Sequence, residues 1–378
     1  MVSRVAYIVA LCGAWIQATT SAAPPPHPPQ AVMVPMRDGV RLATDVYLPS
    51  THGSHPVILG RTPYGKATSA GFAADGARRG YVVVVQDTRG RHGSEGENLP
   101  FHRDVADGAD MVAWILRQPW CNGRLGTWGG SAGAITQFQL NASGVRGVQS
   151  QHLVVGAANL QDVVYTGGVL RRSLVEDWTR ITRFQDDALA RWVAHPTRDA
   201  YWSERDALRT AGTVRAAGVH VGGYWDIFAQ ATLDAFVAQQ ERGGKGARGR
   251  QKLVMGPWAH AVLQEKVGDL TFPNARRPPN NLHDPWRWFA ATLRGESNGL
   301  AELPAVTYYV LGDVTDPHAP GNAWRTAAQW PPFNVRPARL HLHADRFLRA
   351  SRPGRAGRAE PLTYRYDPAD PAPTVGGV

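Results

Sequence analysis

Three residue types, in one order, carry the strongest chemical signal in this chain: Ser131, Asp226 and His260. Ser131 sits in Gly129-Gly130-Ser131-Ala132-Gly133, a G-x-S-x-G pentad with a strand-like run before it (125–128) and a helix-like run after it (to about 141). A serine on such a strained strand-to-helix turn needs small neighbours, because any nearby Cβ would clash. Its hydroxyl is a weak nucleophile at neutral pH and requires a base that is itself held by an acid. Asp226 follows the apolar run 219–225, and His260 follows 253–259. Both runs pass through glycine, so each residue stands at the end of its own strand.

Other readings compete. Ser131 also fits a Gly-rich turn that caps a helix, Asp226 fits a cap for a helix starting at Ile227, and His260 is one of 13 histidines. His220, at a strand start, and His283, in a Pro/Asn-rich loop, are weaker candidates for the base. A second match, Gly295-Glu296-Ser297-Asn298-Gly299, follows an amphipathic helix in a polar, strand-free stretch and reads as a helix-ending loop. Acyl transfer through Ser131 also needs donors for a tetrahedral oxyanion. The amide of Ala132, directly after the serine, is one. The connection Arg61-Thr62-Pro63-Tyr64 supplies the second candidate in the Tyr64 hydroxyl, against the alternative of a rim tyrosine packing on Pro63.

The elements that must position these residues are of two kinds. Residues 41–48 (RLATDVYL) alternate like a strand, and 55–61 (HPVILGR) and 81–85 (YVVVV) are unbroken apolar runs of the sort buried on both faces of a parallel sheet. Residues 104–117 have helical spacing, with acids in the first turn and arginine at the end. Further strands are expected at 148–155, 219–222 and 252–255. Strands alternating with helices mean an α/β fold with a mostly parallel sheet. Residues 160–215 are helix-rich, carry Trp178, Trp192 and Trp202, and are too long for a loop, so they read as a cap insertion. From about 303 the pattern changes to short alternating strands (306–311, 339–343, 362–366) between Pro/Gly turns, which places a second, all-β domain at 301–378.

Composition removes several functions. Of 378 residues 43% are hydrophobic and 19% charged, which excludes a disordered chain. The net charge of +10 comes mainly from scattered arginines interleaved with acids, with only four lysines, so no basic stripe marks a nucleic-acid partner. Residues 1–23 combine Arg4, an apolar run at 5–16 and small residues at the end. They read as a secretory signal peptide cleaved near Ala22 or Ala23, giving an exported protein without a stable membrane anchor. Cleavage there removes Cys12 and leaves Cys121 alone, so no intrachain disulfide is expected. The histidines are dispersed, and no metal or other cofactor is expected.

Several ordered stretches resemble the cocaine esterase/X-prolyl dipeptidyl-peptidase (CocE/NonD, S15-like) family of α/β-hydrolases. They are Met36-Arg37-Asp38-Gly39-Val40-Arg41-Leu42, Arg61-Thr62-Pro63-Tyr64, Gln86-Asp87-Thr88-Arg89-Gly90, Gly93-Ser94-Glu95-Gly96, Pro119-Trp120-Cys121-Asn122-Gly123, the serine pentad, Gly223-Tyr224-Trp225-Asp226 and Gly256-Pro257-Trp258-Ala259-His260. The resemblance implies a Ser131–His260–Asp226 triad and an oxyanion hole built from Tyr64 and the Ala132 amide. It also implies a hydrolase domain (24–300) with a helical cap, followed by a C-terminal jelly-roll β-sandwich. Two departures stand out. Ala132 replaces a frequent tyrosine, and the chain stops at Val378, where only an early part of the sandwich is matched. The expected function is ester or amide hydrolysis of a small-molecule or short-peptide acyl substrate. The alternatives are an X-Pro dipeptidyl-peptidase, with Glu176 and Asp177 as candidate acids for a substrate ammonium, and a catalytically silent, truncated exported protein.

Overall fold

The computed structural model describes residues 25–354 and 363–370; the expected signal peptide lies outside them. Ten strands form one mixed sheet: β1 (Gln30–Pro35), β2 (Arg41–Tyr47), β3 (His55–Thr62), β4 (Val82–Asp87), β5 (Cys121–Gly130), β6 (Val148–Val154), β7 (Ala217–Gly223), β8 (Gln251–Gly256), β9 (Val306–Val310) and β10 (Ala323–Ala327). Their spatial order is β1-β2-β4-β3-β5-β6-β7-β8-β9-β10. β4, β3 and β5 to β9 run parallel, while β1, β2 and β10 supply the antiparallel edges.

The unbroken valine run owes its composition to two covered faces. Val83 and Val85 of β4 join Ile58, Val154, Val221, Val254 and Phe289 on one side of the sheet. Val82 and Val84 join Val57, Leu59, Met111, Ile115 and Leu125 on the other. Alternate residues point to opposite faces, so a strand with both faces buried has no polar positions to show. α1 (Ala70–Arg78) carries Phe72 into the first layer, and α2 (Asp104–Leu116) carries Met111 and Ile115 into the second. α3 (Ala132–Ala142) follows β5 directly and is buried over nearly its whole length.

Between β6 and β7 the chain forms α4 (Leu160–Val164), α5 (Arg172–Ile181), α6 (Ala188–Val193) and α7 (Ala200–Ser203). They pack around Trp178, Trp192 and Trp202 in an apolar cluster that also holds Phe101, Ala132 and Phe228. α8 (Ala229–Arg242) and α9 (Pro285–Phe289) complete the helices used below.

The structure differs from the expectation after residue 300. β9 pairs in parallel with β8 through Leu253↔Val306 and Met255↔Tyr308, and β10 pairs with β9. Residues 306–327 therefore extend the central sheet instead of opening a separate one. Beyond them the described residues form one two-stranded pair, His341–Leu342 with Leu348–Arg349, and no strand at 363–366. Short alternating segments look alike at a sheet edge and in a sandwich, and only the long-range partner separates the two.

Two core histidines make stability depend on pH. Burial pushes His152 down to about 3 and His220 down to about 4, so both stay neutral in the folded state. The unfolded chain takes up these protons below about pH 6.5, so stability falls as the pH drops from there toward 4. The expected slope is about 1.4 kcal/mol per pH unit for each histidine. Urea denaturation at pH 7 and pH 5 measures it, and His220→Gln should remove one histidine's share of the difference.

Candidate active site

Four strands deliver the site at their C-terminal ends, where ligands bind in open α/β sheets. β5 ends at Gly130, and Ser131 starts the turn into α3 with φ 54° and ψ −123°, in the region that a non-glycine residue rarely occupies. The strained turn is anchored on both sides. Ser131 N–H donates to the Val154 carbonyl at 3.0 Å, and the Ser131 carbonyl accepts from Ala134 and Ile135 at 2.9 and 3.0 Å.

The pentad's two outer glycines do different jobs. A Cβ at Gly129 would lie 2.7 Å from the Gly133 carbonyl oxygen, which closes that position to any other residue. A Cβ at Gly133 would meet only the Arg61 carbonyl, at an ordinary 3.5 Å. The need for small residues on both sides of the serine thus holds for Gly129 and is relaxed at Gly133.

The loops after β7 and β8 are closed onto each other. Tyr224 N–H donates to the Gly256 carbonyl at 3.0 Å, and Trp225 N–H donates to the Trp258 carbonyl at 2.9 Å. A Cβ on Gly223 would stand 2.2 Å from that same Trp258 oxygen, so glycine is what lets the two loops touch. This contact sets Asp226 beside His260. The imidazole Nδ1 lies 2.7 Å from Asp226 Oδ1, and Nε2 lies 2.9 Å from Ser131 Oγ. Asp226 holds no proton to give in its ionised form, so Nδ1–H donates to it and Nε2 presents its lone pair to the serine hydroxyl. Both side chains are almost wholly buried, and Phe228 packs edge-on against the imidazole at 5.4 Å.

Tyr64, two residues after β3, lines the same cavities as Ser131, and its hydroxyl accepts a hydrogen bond from Trp178 Nε1 of α5 at 3.0 Å. The sequence assigns Trp178 to the cap insertion but gives it no partner at the site. Together with Val175 and Thr179 it has the spacing of a helix core face, and nothing local marks it as a partner of the Tyr64 hydroxyl. His220 lies in the core with Nε2 3.1 Å from Gln251 Oε1 and lines neither of the cavities at Ser131. The His283 carbonyl pairs with His152 Nε2 at 2.9 Å. Glu176 and Asp177 form surface ion pairs with Arg172 and Arg180, at 2.9 and 2.8 Å.

Two cavities meet at Ser131 and Tyr64. The larger, about 430 Å³, runs between the sheet and α1/α9 and is lined by Phe72, Trp128, Val154, Val221, Val262 and Trp286, with Phe72 stacked on Trp128 at 3.7 Å. The smaller, about 40 Å³, is a slot under the α4–α7 segment lined by Ala132, Ile135, Trp178, Trp192, Phe228 and His260.

The sequence pattern of the X-Pro dipeptidyl-peptidase (S15) family matches residues 38–191 and 180–262. The chain belongs to that family. It is 31% identical to the cocaine esterase of Rhodococcus sp. (strain MB1 Bresler) over 409 aligned positions, covering 92% of this chain and 68% of that protein. Its fold is similar to that of a CocE/NonD family hydrolase from Staphylococcus aureus (TM-score 0.66, 20% identity, 86% of this chain and 60% of that one). It is also similar in fold to an α-amino acid ester hydrolase (TM-score 0.63, 21% identity, 90% and 65%). The chain therefore spans less than two thirds of the length of these two solved relatives. Membership of the S15 family places it among the serine hydrolases.

The glycine geometry predicts unequal effects. Gly129→Ala should destabilise by about 1–3 kcal/mol through overpacking and lose the turn that presents Ser131. Gly133→Ala, in the first turn of α3, should leave the melting temperature unchanged or slightly raised. Thermal melts of the two variants side by side test this.

Proposed function

We propose that this chain is a serine ester hydrolase in which Ser131 is the nucleophile, His260 the general base and acid, and Asp226 the residue that orients the imidazole. The observation that supports this most directly is the continuous relay from Asp226 through His260 to the Ser131 hydroxyl, at 2.7 and 2.9 Å. Ser131 Oγ attacks the acyl carbonyl as His260 Nε2 takes its proton. The tetrahedral oxyanion is held by the Tyr64 hydroxyl and the Ala132 amide, and His260 returns the proton to the leaving oxygen. Water then repeats the sequence on the acyl-enzyme, and the acid departs.

The surroundings favour an ester with two apolar arms. The slot is lined mainly by aromatic and branched aliphatic side chains, and the larger cavity combines such side chains with Arg61, His152, His283 and Asp284. An exopeptidase that releases X-Pro dipeptides must hold a substrate ammonium, but Glu176 and Asp177 are engaged in surface ion pairs and line neither cavity, and Asp284, which lines the larger one, caps α9 by accepting from Trp286 N–H at 2.9 Å. Export is supported by the charged, apolar and small-residue pattern of residues 1–23. No helix among the described residues is long and apolar enough to cross a membrane.

Ser131→Ala should lower kcat by about 10⁴–10⁶, and Tyr64→Phe by about 10²–10³, the usual loss for one oxyanion donor. Turnover of p-nitrophenyl esters should far exceed that of Ala-Pro-p-nitroanilide. Faster cleavage of the anilide would favour the peptidase instead, and absence of turnover on both would favour a silent protein.

A further inference from the structure

The segment over the site does more than roof it. We propose that Trp178 and Arg91 are positioning residues, which aim the Tyr64 hydroxyl proton at the oxyanion and so make the oxyanion hole depend on α5. This rests on the reading of Tyr64 as an oxyanion donor.

A phenol has one proton to give and lone pairs with which to accept, whereas an indole N–H can only donate. At 3.0 Å from Trp178 Nε1, the Tyr64 oxygen is therefore the acceptor, and its own proton is turned away from the indole. Donation into the phenol oxygen also polarises the O–H bond, which strengthens the hydrogen bond it makes in turn. Such a donor is worth most when its direction is set before charge develops.

The indole is held firmly enough to set that direction. Trp178 lies parallel to Phe101 at 5.7 Å and to Trp192 at 6.1 Å, and Phe184 packs on it at 5.0 Å. Arg91 fastens the backbone on both sides of this contact. Its Nε donates to the carbonyl of Pro63, next to Tyr64, at 2.9 Å. Its two terminal nitrogens donate to the carbonyls of Thr182 and Arg183, just past the end of α5, the latter at 3.0 Å. Its guanidinium also covers the Phe184 ring at 4.7 Å. A buried cation at a helix C-terminus satisfies carbonyls that the helix leaves open and suits the sign of its dipole. One arginine thus ties the oxyanion loop to α5, and the tryptophan carries that tie to the reacting hydroxyl.

The test is a double-mutant cycle of Trp178→Phe with Tyr64→Phe, with p-nitrophenyl acetate as a substrate too small to need the slot. Phenylalanine keeps the aromatic stack and removes the N–H. In the otherwise native enzyme, Trp178→Phe should lower kcat by about tenfold with KM within about twofold; in the Tyr64→Phe background the further loss should be under about twofold. Trp178→His, which restores a ring N–H, should recover part of the rate. Equal losses in both backgrounds, or no loss in the native one, would overturn the proposal. Should Trp178→Phe fail to fold by circular dichroism, Arg91→Lys takes its place in the cycle with the same expected dependence on Tyr64. If Tyr64→Phe itself leaves kcat unchanged, the oxyanion reading falls first and this proposal with it. A slow Tyr64→Phe beside a native-like Trp178→Phe removes this proposal alone.

Discussion

The hydrogen bond from Ser131 to His260 joins residues 129 positions apart, and neither residue holds itself in place. His260 depends on the loop after β8 lying against the loop after β7, and that contact exists because Gly223 has no Cβ to meet the Trp258 carbonyl. Ser131 depends on Gly129 for the same steric reason, two strands away. The relay geometry thus rests on two close backbone approaches at the rim of one sheet. The apolar layers on both faces of that sheet keep the strand ends from drifting apart.

Around this fixed relay the other side of the site has a different character. Tyr64 belongs to a loop and Trp178 to a helix in the segment between β6 and β7. The relay and the Tyr64 hydroxyl are therefore supported by separate parts of the molecule. The base and acid are tied to the sheet, whereas the phenol is tied to the covering segment. The larger cavity lies on the sheet side, between the strands and α1/α9, and the slot lies under the cover. A substrate spanning both would touch the two parts at once.

Much of this was legible in the sequence. Ser131, Asp226 and His260 stand out because each follows an apolar run through glycine, and a buried parallel strand leaves just that trace. The sheet's central strands were legible for the same reason: valines 82 to 85 have no polar alternation because both faces are covered. Three features were not. The first residues of β5, Cys121-Asn122-Gly123-Arg124, look like a turn and become strand only through pairing of Cys121 with His55 across a bulge. β9 and β10 read as the start of a new domain, since local alternation cannot name a partner 50 residues away. Trp178 looks like any core tryptophan, and its bond to Tyr64 exists only after the cover has folded over the sheet.

The proposed reaction requires Ser131 to be an activated nucleophile, and a covalent label reads that directly. Incubating the native protein with a fluorophosphonate and mapping the adduct by peptide mass spectrometry should place a single phosphonyl group on Ser131, with none on Ser297 of the second G-x-S-x-G match. An unlabelled protein that circular dichroism shows to be folded, or an adduct on another serine, would contradict it.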